Sequence, residues 1–286
     1  MIYIPNAIII LLKKLKFYVF FKNIYKKLFE NILPLEVKTI ENYIINNLIG
    51  KNFGSIIDIG AHKGDKTSLI LKFFPRDNYY LFEPYEEYYA IIKKKFINKN
   101  NINVYKKGVS SEEGVRKFYT SKNKMYVEAF SLNKNSFLEN YEQIQVINLD
   151  KIIFKERVKL IKIDVEGHEP EILKGASKLI VKDKPILLIE TSHDTHKKIE
   201  KILLDLNYTL LVYEYYIIKD STIDYRELGD LTKSSNEKII SSNIFMEKLY
   251  KFDGLNTQGQ LLTNSLAIPK SRENLLKIEI KKIFLN

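Results

Sequence analysis

The sequence predicts an α/β fold built on a mostly parallel sheet with helices on both faces. From residue 55 onward, short runs rich in β-forming residues alternate with stretches of helical periodicity, a pattern typical of βαβ units. The runs are apolar almost throughout, as strands covered on both faces must be. We expect strands at 55–59, 79–82, 102–105, 160–163 and 186–190, and helices at 67–74, 86–96, 170–179 and 195–206.

The amino terminus is a candidate targeting segment. Short apolar runs at 7–12 and 17–21 are separated by lysines, so residues 1–40 are expected to form a basic amphipathic helical extension. Neither run approaches the roughly 20 apolar residues of a membrane-spanning helix, and the charge order of a secretory signal is missing. The sequence therefore predicts a cytoplasmic protein. The extension either packs on protein or gives residues 1–33 a peripheral contact at the inner membrane face.

The rest of the chain divides into a main domain and a second extension. Residues 41–250 are the predicted main domain, in which the polar segment 110–148 is an insertion or lid. A strand at 208–218 is expected to pair antiparallel with one at 243–249. Residues 251–286 are expected to form a helical carboxyl-terminal extension, because the last stretch alternates lysine with leucine and isoleucine.

Composition excludes some kinds of chemistry. The 286 residues include no cysteine, which rules out disulfides, thiolate metal ligands and cysteine nucleophiles. The net charge of +11 comes mainly from lysine and is compatible with an anionic partner, such as nucleic acid, an acidic lipid surface or a phosphorylated sugar. Composition does not choose among these partners.

The first candidate site is the turn at 58–64, between the first strand and its helix. Gly60 and Gly64 would let the backbone pass close to a bound nucleotide, although a plain strand-to-helix turn can look the same. His62 replaces the middle glycine of the dinucleotide fingerprint, so a dehydrogenase fits poorly. The second strand ends at Glu83, where a nucleotide-binding fold needs a carboxylate for the ribose hydroxyls.

Asp164, Glu166 and His168 follow the strand at 160–163 within five residues. Uncompensated charge is costly to bury, so this cluster is expected to face a pocket, a counter-charge or a metal. A divalent cation held by Asp164, Glu166, Glu190 and His193 is an alternative on residue type. Their spacing matches no fixed ligand motif, so we predict no metal site.

Taken in order, these motifs resemble the FkbM family of methyltransferases. The resemblance covers roughly residues 40–220 and is most specific in the block 162–176. It implies a Rossmann-like class I methyltransferase fold, with a mostly parallel seven-stranded sheet that includes an antiparallel strand. It also implies S-adenosyl-L-methionine as the methyl donor and O-methylation, often of sugars or natural products. His62 stands where the family pattern would have asparagine.

The resemblance also implies roles for individual residues. The turn would cradle the methionine end of the donor, Asp58 would order the turn or reach the donor's amino group, and Glu83 would bind the ribose. The predicted cofactor-binding residues are Asp58, Gly60, His62, Gly64, Glu83, Gly108, Val109 and Asp164. Asp164 is expected beneath the transferring methyl, while His168 and His193 are candidate bases because histidine titrates near neutral pH. These three residues are the predicted catalytic set.

Two other functions stay open. An RNA methyltransferase would explain the basic charge and the 19 tyrosines, although no RNA-binding module is visible and a nucleic-acid partner is disfavoured. A noncatalytic scaffold that binds a membrane or a partner is the other, and the intact Asp58, Glu83 and Asp164 argue against it. A sugar or glycan-type acceptor is the preferred prediction.

Overall fold

The computed structural model describes residues 48–120, 130–132, 140–191, 195–216, 218–219, 222–223, 246–251, 264–272 and 274. The strands in these ranges are β1 Ser55–Ile59, β2 Asn78–Phe82, β3 Ile102–Tyr105, β4 Gly108–Val109, β5 Gly114–Thr120, β6 Phe130–Ser131, β7 Asn140–Ile147, β8 Val158–Ile163, β9 Ile186–Ile189, β10 Tyr208–Tyr216, β11 Ile218–Lys219, β12 Thr222–Ile223, β13 Met246–Lys251 and β14 Asn264–Pro269. The helices are α1 Asp65–Phe73, α2 Glu86–Lys95, α3 Glu169–Gly175, α4 Ser177–Asp183 and α5 His196–Asp205.

The main sheet has the order β13-β10-β14-β9-β8-β1-β2-β3. The five strands from β9 to β3 are parallel to their neighbours, whereas β14 pairs antiparallel with both β9 and β10. Strand β13 adds an antiparallel edge to β10, as expected for the pair at 208–218 and 243–249. The predicted Rossmann-like α/β fold is therefore confirmed.

Helices cover both faces of the sheet because successive strand residues point to opposite sides. On one face, Ile56 and Leu81 pack with Ile70 of α1 and Ile92 of α2. The other face buries the alternate strand residues against α3, α4 and α5, through residues such as Ile57, Ile163, Ile172, Ile180 and Leu203. Among the described residues, no helix is long and apolar enough to span a bilayer.

The insertion at 110–148 contributes three strands of a small second sheet of order β4-β7-β5-β6, in which β4 immediately precedes the insertion. Strands β5 and β7 pair antiparallel along their length, and the inner face of the pair carries the buried side chains of Phe118, Ile144 and Val146. Tyr85 and Leu132 pack against this apolar cluster. The insertion is thus fixed to the main domain beside the carboxyl end of β2.

The predicted helical extension at 251–286 is wrong for residues 264–269. These residues form β14, which lies inside the main sheet rather than beyond the domain. Leu266 and Ile268 face one layer of the core while Ala267 faces the other, which is the alternation of a buried strand. The predicted extension at 1–40 lies outside the described residues, as does most of the predicted terminal helix.

The single helix predicted at 170–179 is two helices, because the chain breaks at Ala176. Asp150, in a short 3₁₀ turn after β7, stabilises this break. Its carboxylate accepts hydrogen bonds from the backbone N–H groups of Leu179 (2.8 Å) and Lys178 (3.1 Å). These amides belong to the first turn of α4, where backbone donors have no partner within the helix. Asp150 therefore caps α4.

Candidate active site

A cavity of about 340 Å³ opens at the carboxyl ends of the central strands. It lies where β1 is flanked by β2 on one side and β8 on the other, which is where open α/β sheets bind ligands. Its lining residues come from the ends of β1, β2, β8 and β9, from α2, from β4 and from the insertion: Ile59, Gly60, His62, Phe82, Glu83, Pro84, Tyr88, Lys107, Gly108, Val109, Phe118, Leu132, Asp164, Val165, Glu166 and Glu190.

Gly60 forms the floor of the cavity at the end of β1. Its φ of +71° is in the left-handed region, and a Cβ at this position would lie 1.9 Å from the carbonyl oxygen of Asp164. No side chain fits there, because the backbone of Asp164 at the end of β8 lies directly against Gly60 at the end of β1. The backbone N–H groups of Gly60 and Ala61 donate to the carbonyl of Phe82, which ties the same turn to β2.

The turn continues through His62 to Gly64 at the start of α1. Both residues have positive φ values, +50° and +74°. The His62 ring packs edge-on against Tyr88, with 4.0 Å between ring centroids, and lines the cavity. Gly64 does not line the cavity; it packs against Phe96 and lets the chain enter α1.

Glu83 is a buried carboxylate with unused hydrogen-bonding capacity. Its side chain is 5% exposed, and its two oxygens accept the backbone N–H groups of His62 (2.8 Å) and Tyr85 (3.0 Å). Burial raises the pKa of Glu83 to about 7, and the two backbone hydrogen bonds oppose that rise. Because a carboxylate has about four acceptor positions, further donors can bind from the cavity.

Asp58 lies behind the cavity and does not line it. Its carboxylate is 1% exposed, accepts a hydrogen bond from the Thr67 hydroxyl of α1 and lies 3.3 Å from the ammonium of Lys162. It thereby joins β1, β8 and α1 directly beneath the turn. Of the two roles expected for Asp58, this geometry favours the ordering of the turn.

Lys162 is a buried cation whose role the sequence reasoning missed. Its ammonium donates to the Gly60 carbonyl at 2.7 Å and lies 3.1 Å from the Asp164 carboxylate. Burial by itself would lower the pKa of Lys162, but the charges of Asp58 and Asp164 outweigh burial and raise it. A lysine among the apolar residues of β8, two residues from the predicted catalytic Asp164, was the available signal.

Three carboxyl groups meet at one end of the cavity. Asp164, Glu166 and Glu190 each place an oxygen so that the three atoms lie within 4.8 Å of one another. Burial and the charge of Asp164 raise the pKa of Glu190 to about 9, so Glu190 is protonated at neutral pH. Burial would also raise the pKa of Asp164, but Lys162 and the hydrogen bond with Glu190 lower it, so Asp164 is ionised.

This acidic end contains three of the four residues considered as metal ligands, and it is the group among the described residues that could hold a divalent cation. Lys162 already neutralises part of its charge. His193, the fourth residue, lies outside the described residues. The loop that carries Glu166 is held from below by Glu169, whose carboxylate accepts the backbone N–H of Gly167 at 2.9 Å.

Another part of the cavity lining is apolar. Val109, Phe118 and Leu132 form its wall, and the last two come from the insertion. Gly108 presents backbone rather than a side chain, and Lys107 lies at the edge. The sequence predicted Gly108 and Val109 for this region but not the two apolar side chains of the insertion. A flat apolar ring fits such a wall.

His168 is separated from this cavity. It immediately precedes α3, and its Nε2 lies 3.0 Å from the Ser110 hydroxyl. Burial lowers the pKa of His168, so the ring is neutral at pH 7. The structure therefore brings Asp164 to the cavity and leaves His168 outside its lining; the catalytic roles of His168 and His193 stay predictions.

The chain matches one family model, described as the methyltransferase FkbM domain, over residues 58–210, more than half of the 286 residues. No curated protein matches it significantly. Among solved structures, it is similar to the methyltransferase FkbM of Methylobacillus flagellatus KT, with 20% identity and a TM-score of 0.41 over 55% of this chain and 39% of that one. The chain thus spans less than half of that relative.

Two further solved structures are similar to this chain. One is the precorrin-6y C5,15-methyltransferase of Geobacter metallireducens GS-15, with 12% identity and a TM-score of 0.41 over 80% of this chain and 87% of that one. The other is an S-adenosylmethionine-dependent O-methyltransferase of Thermotoga maritima, with 8% identity and a TM-score of 0.40 over 80% and 65%.

Proposed function

The chain belongs to the FkbM methyltransferase family, and from this premise we propose that it is an S-adenosyl-L-methionine-dependent O-methyltransferase. The acceptor we propose is a hydroxyl group of a sugar, a glycan or a related small molecule. Family membership makes methyl transfer the class of reaction, whereas the donor, the acceptor and the atom methylated are proposals.

One observation carries the choice of donor. The same cavity combines a backbone turn without room for a side chain at Gly60 and a buried carboxylate, Glu83, with acceptor positions to spare. Backbone groups of the turn suit the amino-acid portion of S-adenosylmethionine, and Glu83 suits its two ribose hydroxyls. The apolar wall formed by Val109 and Phe118 suits adenine. The residues present therefore fit the donor.

The donor, when bound, supplies a methyl group activated by a positively charged sulfur. The protein then has to align the acceptor and help remove its proton. Asp164 is the proton acceptor we propose, because it lines the cavity and is ionised. A hydroxyl that donates to Asp164 is held in place and can pass its proton to that carboxylate.

A polyhydroxyl acceptor is supported by the acidic end of the cavity. Asp164, Glu166 and Glu190 offer several oxygens within 4.8 Å of one another, and the Glu190 proton is shared with Asp164. Neighbouring hydroxyls of a sugar can donate hydrogen bonds to the remaining oxygens. The family resemblance supports the same acceptor class.

Calorimetric titration of the purified protein with S-adenosylmethionine and S-adenosylhomocysteine tests the proposal. We expect binding by the wild-type protein and a loss of about tenfold or more in Glu83→Gln, because the amide turns a donor toward a backbone N–H and removes a charged acceptor. The matched control is Glu86→Gln, the same change at an exposed acid of α2. No binding by folded wild-type protein would refute the donor assignment.

Metal is not part of this proposal. We expect S-adenosylmethionine affinity to stay within twofold after dialysis against EDTA, since Lys162 already pairs with Asp164. Loss of binding that Mg²⁺ restores would contradict this expectation. Once binding is established, release of S-adenosylhomocysteine with a panel of sugars and nucleotide sugars identifies the acceptor; methyl transfer to RNA alone would replace the proposed acceptor class.

A further inference from the structure

A buried lysine lies directly beneath the cavity. Lys162 faces Asp58 across the β1–β8 pair, and its side chain is almost fully enclosed. Its ammonium is 2.7 Å from the carbonyl oxygen of Gly60, 3.1 Å from Oδ2 of Asp164 and 3.3 Å from Oδ1 of Asp58. The three oxygens belong to Asp58 on β1, to Gly60 directly after β1 and to Asp164 directly after β8.

The contact with Gly60 is a hydrogen bond, and those with Asp164 and Asp58 are ion pairs, so three acceptors surround one ammonium group. Lysine has three donors that diverge from one nitrogen, whereas the planar guanidinium of arginine directs its donors in one plane. Two of the three acceptors, Gly60 and Asp164, line the cavity, and the third lies behind it. The Lys162 ammonium therefore contacts Gly60 at the floor of the cavity, Asp164 at its acidic end and Asp58 in the interior of the fold.

We propose that Lys162 is a positioning residue of the donor site, which fixes the Gly60 carbonyl and the Asp164 carboxylate relative to each other across the β1–β8 cleft. The inference rests on the proposed function, because the arrangement that it explains is the donor site. Lys162 does not line the cavity, so it acts through Gly60 and Asp164 rather than by contact with the donor.

Neutralisation of Asp58 does not by itself account for this lysine. A buried ion pair can often be replaced by an apolar pair of similar volume with little loss of stability, so stability alone is a weak reason to have one here. A buried ammonium also needs acceptors for all three of its donors, and two of the acceptors here are cavity residues, Gly60 and Asp164. The contacts that satisfy this buried cation therefore also fix the positions of the two cavity residues.

The double variant Asp58→Asn/Lys162→Met separates neutralisation of Asp58 from positioning of the cavity residues. It removes the charges of Asp58 and Lys162 together. Its melting temperature is expected to exceed that of Lys162→Met, because Asp58 is no longer an unpaired buried charge. Its affinity for S-adenosylmethionine and for S-adenosylhomocysteine is nevertheless expected to fall at least tenfold, because nothing holds the Gly60 carbonyl and Asp164. Wild-type affinity in a double variant that folds would overturn the proposal.

Comparison of the two ligands distinguishes positioning from charge. S-adenosylmethionine carries one more positive charge than S-adenosylhomocysteine. If Lys162 acted only through its charge, removal of a neighbouring cation would strengthen S-adenosylmethionine binding and change the other ligand little. The positioning role instead predicts that both ligands bind more weakly. Selective strengthening of S-adenosylmethionine binding would therefore also overturn the proposal.

Two single variants complete the set. Lys162→Arg keeps a positive charge opposite Asp58, so it remains informative if the double variant does not fold; both affinities are expected to fall at least threefold, and unchanged affinities would contradict the proposal. Tyr208→Phe removes a buried hydrogen bond to the Pro185 carbonyl, whose residues do not line the cavity, and is the control for destabilisation alone. Its melting temperature is expected to fall while both affinities stay within threefold.

An equal loss of affinity in Tyr208→Phe and in the Lys162 variants, at equal loss of melting temperature, would show that only the stability of the fold matters and would overturn the positioning role. The two hypotheses are refuted by different results. If the wild-type protein binds neither ligand, the donor assignment is refuted. If the wild-type protein binds both ligands and every Lys162 variant binds them equally well, only the positioning role of Lys162 is refuted.

Discussion

Glu83 shows how burial prepares a single residue for binding. Water is excluded from its carboxylate, and two backbone amides only partly replace that water, so its pKa is raised to about 7. The ionised form is the one that accepts hydrogen bonds from two hydroxyl groups. Binding of the donor is thereby linked to the protonation of this one side chain.

We expect S-adenosylmethionine affinity to rise about tenfold between pH 6 and pH 8, because Glu83 loses its proton over this range and the ionised form binds more tightly. Calorimetric titrations at several pH values measure the change. The side chain at position 83 does not titrate in Glu83→Gln. The pH dependence of affinity that remains in this variant therefore comes from other groups of the protein and from the ligand. A pH dependence that is the same in both proteins would contradict the role given to Glu83.

Gly60 makes the opposite kind of contribution, since its role depends on the absence of a side chain. Gly60→Ala would place a methyl group 1.9 Å from the Asp164 carbonyl and force a left-handed φ on alanine. We expect a loss of about 2 kcal/mol or more in unfolding free energy, together with weaker ligand binding. Gly50→Ala is the control, because Gly50 has nothing within 4 Å of its Cβ position. Urea unfolding compares the two, and equal stability would refute the clash.

Among the elements, α4 depends on a cap supplied from elsewhere in the chain. Asp150→Ala removes the acceptor for the N–H groups of Lys178 and Leu179. We expect a loss of about 1 kcal/mol, within the range measured for helix caps. Asp205→Ala, at the exposed end of α5, is the matched control. A melting temperature as high in the Asp150 variant as in this control would show that the cap contributes little.

The elements that the sequence predicts well are those with local signals. Strand β1 ends in an Asp-x-Gly turn, and β8 is a mostly apolar run, so both follow from periodicity and turn chemistry. Strand β14 was missed because its short apolar segment has no local signal for insertion between β9 and β10. Lys162 was missed for a related reason: its partners Gly60 and Asp58 are about 100 residues away in sequence, and only the β1–β8 pairing brings them together.

The whole molecule carries a net charge of +11, and the amino-terminal segment 1–33 is rich in lysine. We propose that this segment makes a peripheral contact with anionic lipid. Deletion of residues 1–33 is expected to abolish sedimentation with vesicles that contain phosphatidylglycerol, while S-adenosylmethionine affinity stays the same. Full-length protein that fails to sediment with these vesicles, or equal sedimentation of both proteins, would contradict the membrane contact.

Strand β14 has a consequence for how the protein is made. It fills the position between β9 and β10, yet the ribosome synthesises it after both of them. At roughly 5–20 residues per second, the nascent chain exposes two unpaired strand edges for several seconds before their shared neighbour emerges. Unpaired edges are templates for association with other chains. Completion of the main sheet therefore waits until β14 has emerged, and the edges of β9 and β10 can associate with other chains until then.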